Sequence, residues 1–395
     1  SDGGLFRLVL EQLGARPKAV LHVGDNRRVD IEQAKRQGMK TYALPKATTI
    51  MNKDRGYRAA LGTATGSHQI AQSVVDALIA QRLFDVPTST GGSESLFRGD
   101  PVNLGYSGLG PVVAGFALWL GRRAREDGID RLFFLSREGW ILKQVFDAIH
   151  ADQEETPQTR YVYASRRALL VASLRERSDV LAVACRGFGD AKVSVGELIQ
   201  SRFGLPPEQV PAAALKAAGY SSVTELVRAT DEGERVFHGL CLDLADLILM
   251  HAARERDPYL RYLDSVGLGQ GTRPGIVDLG WAGYMQGAMQ ELVGREIRGY
   301  YYATFERALQ WTARGCKLAG YAGEFVTPAY HPSALVSRRP IAEYLLCNTD
   351  PSFDRCEDVD GEPRHVFSTA SEPPERRALV EAVHQGILQF ARDLS

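Results

Sequence analysis

Two carboxylates near the N-terminus stand at a spacing that suits metal chemistry. Gly24 and Asp25 end a short apolar run, and Asp30 follows after four intervening residues. Carboxylate oxygens are ligands that Mg²⁺ prefers, and glycine allows a tight turn at the end of a strand. The spacing therefore predicts a Mg²⁺ site at Asp25 and Asp30. The alternative is a turn that caps the next helix, with Asp30 serving only as an acid near the helix start.

A second set of polar turns follows three later apolar runs. The turns span residues 136–139, 165–167 and 278–286, and they combine arginines, carboxylates and glycines. Arginine binds phosphate or carboxylate, carboxylates bind a metal or ribose hydroxyls, and a glycine-bounded loop can open onto a helix N-terminus. We therefore expect a site for a phosphorylated small molecule or a sugar nucleotide. Its candidate residues are Ser136, Arg137, Glu138, Gly139, Ser165, Arg166, Asp278, Gly280, Gly283 and Gln286.

Several residues in these turns also fit structural roles. Arg166 and Arg167 could be surface charges of a helix, Glu138 could cap the helix that follows it, and Trp281 could anchor a core. Glu343, within the apolar run IAEYLL, is a weaker candidate for a buried acid. The eight histidines are scattered along the chain, so the sequence predicts no Ser-His-Asp or Cys-His site.

A small parallel sheet is needed to position the first set of residues. Apolar residues recur at helical spacing over 5–14, and a short buried strand is predicted over 19–25. A second helix over 29–38 and a second strand over 39–44 follow. This alternation is typical of a parallel α/β sheet, whose ligands lie beyond the carboxyl ends of the strands. Asp25 would lie at such an end.

The second set of residues also follows predicted strands. A long helical region over 168–266 interrupts the alternation and is interpreted as an inserted helical layer, and an amphipathic helix over 373–394 ends the chain. The predicted strands are 131–136, 160–165, 274–280 and 297–305, and the predicted helices between them are 105–125, 140–150 and 284–294.

These patterns predict an α/β protein with two domains. We expect a partial Rossmann-like core over 1–86, a linker over 87–104, and a second Rossmann-like domain with its helical insertion over 105–395. Residues 50–104 are polar and rich in turn-forming residues, and the run PTSTGGSES at 87–95 is the best candidate linker.

Composition excludes several classes of protein. The 395 residues carry 47 Lys and Arg against 48 Asp and Glu, a net charge of −1, which does not suit a nucleic-acid-binding surface. Five well-separated cysteines favour neither a zinc site nor a disulfide framework, and they predict a cytoplasmic protein. The uncharged run over 105–121 contains proline and several glycines, so we interpret it as a buried helix rather than a membrane span.

The segment HVGDNRRVDIEQAKRQGMKTYAL resembles the fourth motif of the haloacid dehalogenase (HAD)-like hydrolase superfamily. The resemblance implies the C-terminal half of a HAD-like core, with Asp25 and Asp30 holding Mg²⁺ for hydrolysis of a phosphate ester. The runs at 136–139 and 278–281 resemble motifs in the second domain of large bacterial HAD-like proteins associated with surface-polysaccharide synthesis.

Members of that superfamily carry an Asp-x-Asp pair, which includes the nucleophile, upstream of the fourth motif. No such pair precedes Gly24 here, and Lys18 lies too close to Asp25 to match the lysine of the family. We therefore expect no phosphatase activity from these residues alone. A native protein that extends upstream would be a Mg²⁺-dependent phosphohydrolase.

Two other functions compete with this interpretation. The first is a transferase, phosphoribosyltransferase-like or of another kind, whose active site lies within residues 105–350. The acidic loop at 278–286 lacks the paired acids that a phosphoribosyltransferase would need. The second is a binding or assembly module without catalysis.

Overall fold

The computed structural model describes residues 3–61, 69–85, 97–186, 192–269 and 271–395. Two compact units make up the chain. Unit 1 comprises Ser1–Val112 and Gln385–Ser395, and unit 2 comprises Val113–His384. The division at 112 lies after the expected linker over 87–104, and residues 87–96 of that linker lie outside the described residues.

Unit 1 begins with the predicted alternation of helix and strand. Helix α1 (Gly4–Leu13) precedes strand β1 (Leu21–Gly24), and helix α2 (Gln33–Arg36) precedes strand β2 (Lys40–Ala43). The two strands are parallel, with His22 paired to Thr41. The order of elements is therefore as predicted, although the second helix starts with a π-helical turn over Arg27–Glu32.

Helices occupy much of the described part of residues 50–104, so the expectation of a turn-rich region was wrong for that part, while residues 62–68 and 86–96 lie outside the described residues. The helices are α3 (Ala47–Met51), α4 (Arg55–Leu61), α5 (Gln69–Phe84) and α6 (Pro101–Asn103). Met51 and Tyr57 pack against Ile79, Leu83 and Phe84 of α5 in a separate hydrophobic cluster. Several polar residues of these helices, such as Arg58 and Arg82, are exposed.

The apolar run over 105–121 is helical, as predicted. A π-helical turn over Leu104–Leu109 leads into α7 (Gly110–Glu126). The stretch Pro101–Glu126 is long and apolar enough to cross a membrane, but 61% of its most apolar window is buried within the protein. Such burial is typical of a core helix.

Unit 2 is built on a five-stranded parallel sheet, and the α/β class is therefore confirmed. The spatial order of the strands is β4-β3-β5-β6-β7. The central strands are almost fully buried, as expected for a parallel sheet covered on both faces. The strands are β3 (Arg131–Leu135), β4 (Gln158–Val162), β5 (Pro274–Asp278), β6 (Arg298–Tyr301) and β7 (Leu318–Gly320).

The order of these strands marks a position for a ligand. Counted from β3, the order is 2-1-3-4-5, which is one of the two common doubly wound orders. The direction of winding reverses between β3 and β5. In such sheets, ligands bind beyond the carboxyl ends of the strands at this reversal.

Helix α8 (Gly139–Ile149) connects β3 to β4, and the predicted helical insertion connects β4 to β5. The insertion has a hydrophobic core of its own, which includes Phe203, Phe237 and Ile248. Its helices are α9 (Arg166–Ala172), α10 (Arg177–Ala184), α11 (Val195–Phe203), α12 (Ala212–Ala217), α13 (Asp231–Asp243) and α14 (Ala245–Leu263).

The C-terminal part of unit 2 contains elements that the sequence patterns missed. Strand β7 and the antiparallel hairpin of β8 (Phe353–Val359) and β9 (Glu362–Phe367) were not predicted. Helix α15 (Tyr284–Val293) was predicted, and so was the long last helix, α19 (Pro374–Leu394), which belongs to unit 1 from Gln385 onward. The other helices of this part are α16 (Leu309–Thr312), α17 (Ala334–Ser337) and α18 (Arg339–Leu346).

Candidate functional site

A cavity of about 390 Å³ lies at the carboxyl ends of β3, β4 and β5, where the winding of the sheet reverses. We call it the strand-end cavity. Its volume is within the range of small-molecule sites. Eight of the ten residues expected at a ligand site line it, whereas Gly139 and Gln286 do not. The eight are Ser136, Arg137, Glu138, Ser165, Arg166, Asp278, Gly280 and Gly283.

Asp278, the last residue of β5, has the most perturbed carboxyl group in the cavity. The side chain is only partly exposed. Burial, followed by the negative charge of Glu138, raises the pKa of Asp278 to about 8. The backbone N–H of Leu279 donates to Asp278 Oδ1 at 2.8 Å, and Arg166 opposes the shift by its positive charge. Asp278 is therefore mostly protonated at neutral pH and can donate a proton.

Two further carboxylates line the cavity. The backbone N–H of Arg137 donates to Glu138 Oε2 at 3.3 Å. The indole N–H of Trp281 donates to Glu343 Oε1 at 2.6 Å, which fixes the position of this carboxylate. The negative charges of Glu138 and Glu343 both help to raise the pKa of Asp278. The cavity is therefore rich in acids that can accept hydrogen bonds from hydroxyl groups.

Two arginines bring positive charge to the cavity. Arg137 Nη1 lies 3.8 Å from Glu372 Oε1, so it is held loosely by a neighbouring acid. Arg166 begins α9, is exposed, and forms no ion pair with any carboxylate in the described part of the chain. Arg167 instead contacts Glu255, with Nη2 donating to Oε1 at 2.8 Å. This arginine therefore has a structural partner and does not line the strand-end cavity.

The two serines hold the backbone of the site in place. Ser136 Oγ donates to the carbonyl of Ala164 at 2.9 Å and accepts from the N–H of the same residue at 3.0 Å, which ties the ends of β3 and β4 together. Ser165 caps α9, because its Oγ accepts from the N–H of Ala168 at 3.0 Å. Both hydroxyl groups are thus engaged within the protein.

The glycines of the site lie where a side chain would clash with the backbone or where φ is positive. At Gly280 φ is +157°, and a Cβ atom would lie 2.6 Å from the carbonyl oxygen of Ala303. Gly283 precedes α15 in the left-handed region, with φ of +70°. Gly139 lies against β3, where a Cβ atom would lie 2.7 Å from the carbonyl carbon of Phe134. Gly139 therefore allows α8 to pack closely on the sheet, although it does not reach the cavity.

Gln286 has a structural role in place of the expected ligand contact. Its side chain is fully buried. Nε2 donates to the carbonyls of Ile297 and Lys317, each at 2.8 Å, and Oε1 accepts from the hydroxyl of Tyr301 at 3.0 Å. These three bonds satisfy polar groups beneath α15, so Gln286 has little capacity left for a ligand.

In unit 1, Asp25 lies just beyond the carboxyl end of β1. Lys46 Nζ lies 2.9 Å from Asp25 Oδ2. The hydrogen bond and the positive charge of Lys46 hold the pKa of Asp25 below its ordinary value. Asp25 is therefore an anion over the whole physiological pH range.

Asp30 closes the turn that follows β1. Its Oδ2 accepts from the N–H of Asn26 at 2.9 Å, and Asn26 Oδ1 accepts from the N–H groups of Arg28 and Val29, each at 3.0 Å. A Cβ atom at Gly24 would overlap the side chain of Asp30. The glycine thus lets the carboxylate of Asp30 approach the strand end.

The donor set at this turn is small for a metal site. Within the described ranges, no group of three or more His, Cys, Asp or Glu side chains could hold a metal ion. Mg²⁺ can bind through one or two carboxylates when water or substrate oxygens complete its shell. Asp25 and Asp30 are compatible with that mode if Lys46 releases Asp25.

The cavity also contains residues that sequence reasoning missed or valued too low. Glu343 was only a weak candidate, and it comes from α18, more than sixty residues after Asp278. Ser352 and Phe353 belong to the start of the unpredicted hairpin. The apolar run around Glu343 was the available signal, because an acid that is buried among apolar residues needs a partner or a cavity.

Fold and cavity together define an α/β protein with a candidate ligand site at the switch point of a doubly wound sheet. No protein-family model and no curated protein matches the chain. Membership of the HAD-like superfamily therefore stays a hypothesis that rests on the residues of the turn after β1 and on the two motifs in unit 2.

Proposed function

We propose that unit 2 binds a phosphorylated small molecule or a sugar nucleotide in the strand-end cavity and transfers a group from it. The observation that carries this proposal is Asp278, a carboxylic acid that is protonated near neutral pH and lies at the switch point of the sheet. Acids with a raised pKa at such a position are typical of proton donors in catalysis.

In this mechanism Asp278 donates its proton to the oxygen of the leaving group as the bond to that oxygen breaks. Glu138 and Glu343 accept hydrogen bonds from hydroxyl groups of the ligand and orient it. Gly280 and Gly283 shape the loop against which the ligand lies. When Asp278 has lost its proton, it can accept one from the incoming nucleophile, which restores the acid for the next turnover.

The test is turnover of a panel of nucleoside diphosphate sugars and sugar phosphates, measured as released nucleoside diphosphate or phosphate. We expect Asp278→Asn to lower kcat by about 10²–10⁴-fold, as for loss of a general acid. The wild-type kcat should fall as the pH rises through about 8, where Asp278 loses its proton.

The matched control is Asp152→Asn, which changes an exposed acid in the loop after α8. It should leave turnover unchanged. Turnover that survives Asp278→Asn would contradict the proposal. Binding without turnover of any compound in the panel would favour a module without catalysis.

A second proposal concerns the turn after β1. Asp25 and Asp30 would hold Mg²⁺ in a HAD-like phosphohydrolase whose nucleophile lies outside these residues, and the resemblance places such a protein in surface-polysaccharide synthesis. The side chain of Asp30 packs closely against Gly24, which is next to Asp25. This close packing supports the proposal, because it brings the second carboxylate to the same strand end. All five cysteines are free thiols, which supports a cytoplasmic location.

Titration of Mg²⁺ by calorimetry tests this second proposal. Asp25→Asn should abolish binding because it removes a charged ligand, whereas Lys46→Ala should strengthen binding because it removes the competing ammonium group. Asp30→Asn is not a suitable variant, since Asp30 also closes the turn. Equal binding by wild type, Asp25→Asn and Lys46→Ala would rule out the site.

A further inference from the structure

A groove of about 810 Å³ adjoins the strand-end cavity in unit 2. Five arginines and a single acid, Glu306, are the charged residues among its described lining. Arg167 is the one arginine of the five that an ion pair neutralises, through Glu255 and Asp354. We call this feature the arginine groove and define it by the other four, Arg166, Arg186, Arg307 and Arg339.

No salt bridge neutralises these four arginines within the part of the chain that the structure describes. None of them forms an ion pair with a described carboxylate, although arginines elsewhere in unit 2 commonly do. Four like charges around one groove repel each other and create a positive potential in it. An anion that enters the groove relieves this repulsion, and guanidinium groups match the geometry of phosphate oxygens.

Aromatic side chains form the wall of the groove and position two of its arginines. The guanidinium group of Arg186 lies 5.9 Å from the ring centre of Tyr284, and that of Arg339 lies 5.9 Å from the ring centre of Phe305. Trp281 stacks on Phe305 at 4.9 Å. Cation–π contacts hold a guanidinium group in place without cancelling its charge, so these arginines remain able to bind an anion.

The groove and the strand-end cavity share a wall but differ in charge. Trp281, Ala282, Tyr284 and Arg166 line both. The cavity holds Glu138, Asp278 and Glu343 against two arginines, whereas the groove holds four arginines without ion pairs against one acid. The groove therefore attracts a phosphate group more strongly than the cavity does.

Helix α18 links the two spaces. Arg339 begins this helix and lines the groove, and Glu343 lies one turn later and lines the cavity. Residues four apart on a helix lie on the same face. A ligand that spans both spaces would therefore meet both residues of one rigid element.

We propose that the arginine groove binds the diphosphate of an organic diphosphate, such as a nucleoside diphosphate sugar, while the hydroxyl-bearing end of the ligand occupies the strand-end cavity. The placement of the hydroxyl-bearing end rests on the function proposed for the cavity. The placement of the diphosphate does not, because it follows from the unpaired arginines of the groove. The four guanidinium groups exceed what one monophosphate needs, and the aromatic wall offers an apolar face to the rest of the ligand.

Calorimetric binding of inorganic pyrophosphate to the whole protein tests the groove without any substrate. We expect the double variant Arg307→Ala/Arg339→Ala to raise the Kd for pyrophosphate by about tenfold or more, because it removes two guanidinium groups that can form charge-assisted hydrogen bonds to phosphate oxygens. Neither residue lines the strand-end cavity, and both are exposed, so the fold should persist. Unchanged melting temperatures would verify that the variants are folded.

Arg235→Ala is the matched control, since Arg235 is an exposed arginine of α13 outside the groove. It should leave the Kd within a factor of about two, because distant surface charges are screened by salt. The groove proposal is overturned if the double variant binds pyrophosphate as tightly as wild type, or if wild type does not bind it at millimolar concentration.

Asp278→Asn separates the groove proposal from the proposed function. Pyrophosphate has no hydroxyl-bearing end, so its affinity should be unchanged in this variant. If Asp278→Asn keeps full turnover while pyrophosphate binding still depends on Arg307 and Arg339, the mechanism at the cavity fails and the groove stands. If pyrophosphate binding does not depend on these arginines, the groove proposal falls whatever Asp278→Asn does to turnover.

Discussion

Asp25 in unit 1 and Asp278 in unit 2 occupy similar places in the chain and have opposite electrostatic properties. Each lies at the carboxyl end of a parallel strand, and each has a glycine within two residues. Lys46 keeps the pKa of Asp25 low, whereas burial and the charge of Glu138 raise the pKa of Asp278 to about 8. At neutral pH one residue is an anion and the other is an acid.

The raised pKa of Asp278 arises from the sheet around it rather than from the local sequence. Sheet β1–β2 has two strands, and Leu21 and Val23 of β1 are 58% and 50% exposed. Strand β5 lies at the centre of five strands, and Ile276 and Val277 are fully buried. Covered parallel sheets exclude water from their strand ends, and exposed ones do not. The pKa of an acid at a strand end is thus raised when the sheet and the elements that cover it exclude water from that end.

The largest expected effect is on the stability of unit 2 in Asp278→Asn. Because the folded-state pKa of Asp278 is raised, the native state keeps a proton that the unfolded state loses as the pH rises from about 4 to about 8. The native protein is therefore penalised at high pH, and asparagine removes the penalty. We expect a gain on the order of 2–5 kcal/mol at pH 8 and almost none at pH 4.

Urea denaturation followed by tryptophan fluorescence measures this gain. The four tryptophans, Trp119, Trp140, Trp281 and Trp311, all belong to unit 2, so the signal reports that unit. Asp25→Asn changes the comparable strand-end acid of unit 1, so as a control it should leave the transition of unit 2 unchanged at either pH. An equal gain for Asp278→Asn at both pH values would show that its proton is not the cause.

A smaller effect is expected when alanine replaces the glycine beside each acid. Gly280 has a positive φ, and its added Cβ would meet the backbone oxygen of Ala303, which cannot move without the sheet. We expect Gly280→Ala to destabilise unit 2 by about 2–3 kcal/mol. Gly24→Ala would meet only the side chain of Asp30 in an exposed turn, and we expect a loss of about 1–2 kcal/mol in unit 1.

The control for both variants is Gly239→Ala in α13, where a Cβ atom would meet open space. It should be neutral or gain up to about 1 kcal/mol, as for glycine in a helix interior. Tryptophan fluorescence follows Gly280→Ala, and amide exchange of β1 and β2 follows Gly24→Ala. A larger loss of stability for Gly24→Ala than for Gly280→Ala would mean that the turn after β1 is more rigid than the turn after β5.

Local sequence patterns were sufficient to predict most of the strand-end cavity. Apolar runs located β3, β4 and β5, and the polar turns after them supplied eight cavity residues. These residues meet because parallel strands present their carboxyl ends at one edge of the sheet. The same reasoning placed Asp25 and Asp30 at one strand end, since periodicity and turn composition are local properties.

Residues contributed by distant elements could not be predicted in this way. Arg339 and Glu343 come from α18, a segment without a strand-end pattern, and only packing of the whole unit brings them to the groove and the cavity. Gln286 was misassigned because sequence does not show that a buried amide will bond to carbonyls of neighbouring strands. Helix α5 was missed because its apolar residues are diluted by polar ones on its exposed face.

The smallest effect is expected for Lys46→Ala. This variant tests whether Lys46 is the cause of the lowered pKa of Asp25. Removal of the ammonium group should let the pKa of Asp25 rise toward its ordinary value, which NMR titration of the carboxyl carbon would detect. High salt should produce part of the same rise in wild type, because the pair is exposed to solvent. Lys53→Ala removes an exposed neighbouring lysine and should leave the titration unchanged.

If the pKa of Asp25 stays low without Lys46, the backbone N–H groups of the turn must hold the carboxylate as an anion, since they also lower its pKa. The turn itself, rather than its lysine, would then be the feature that distinguishes Asp25 from Asp278.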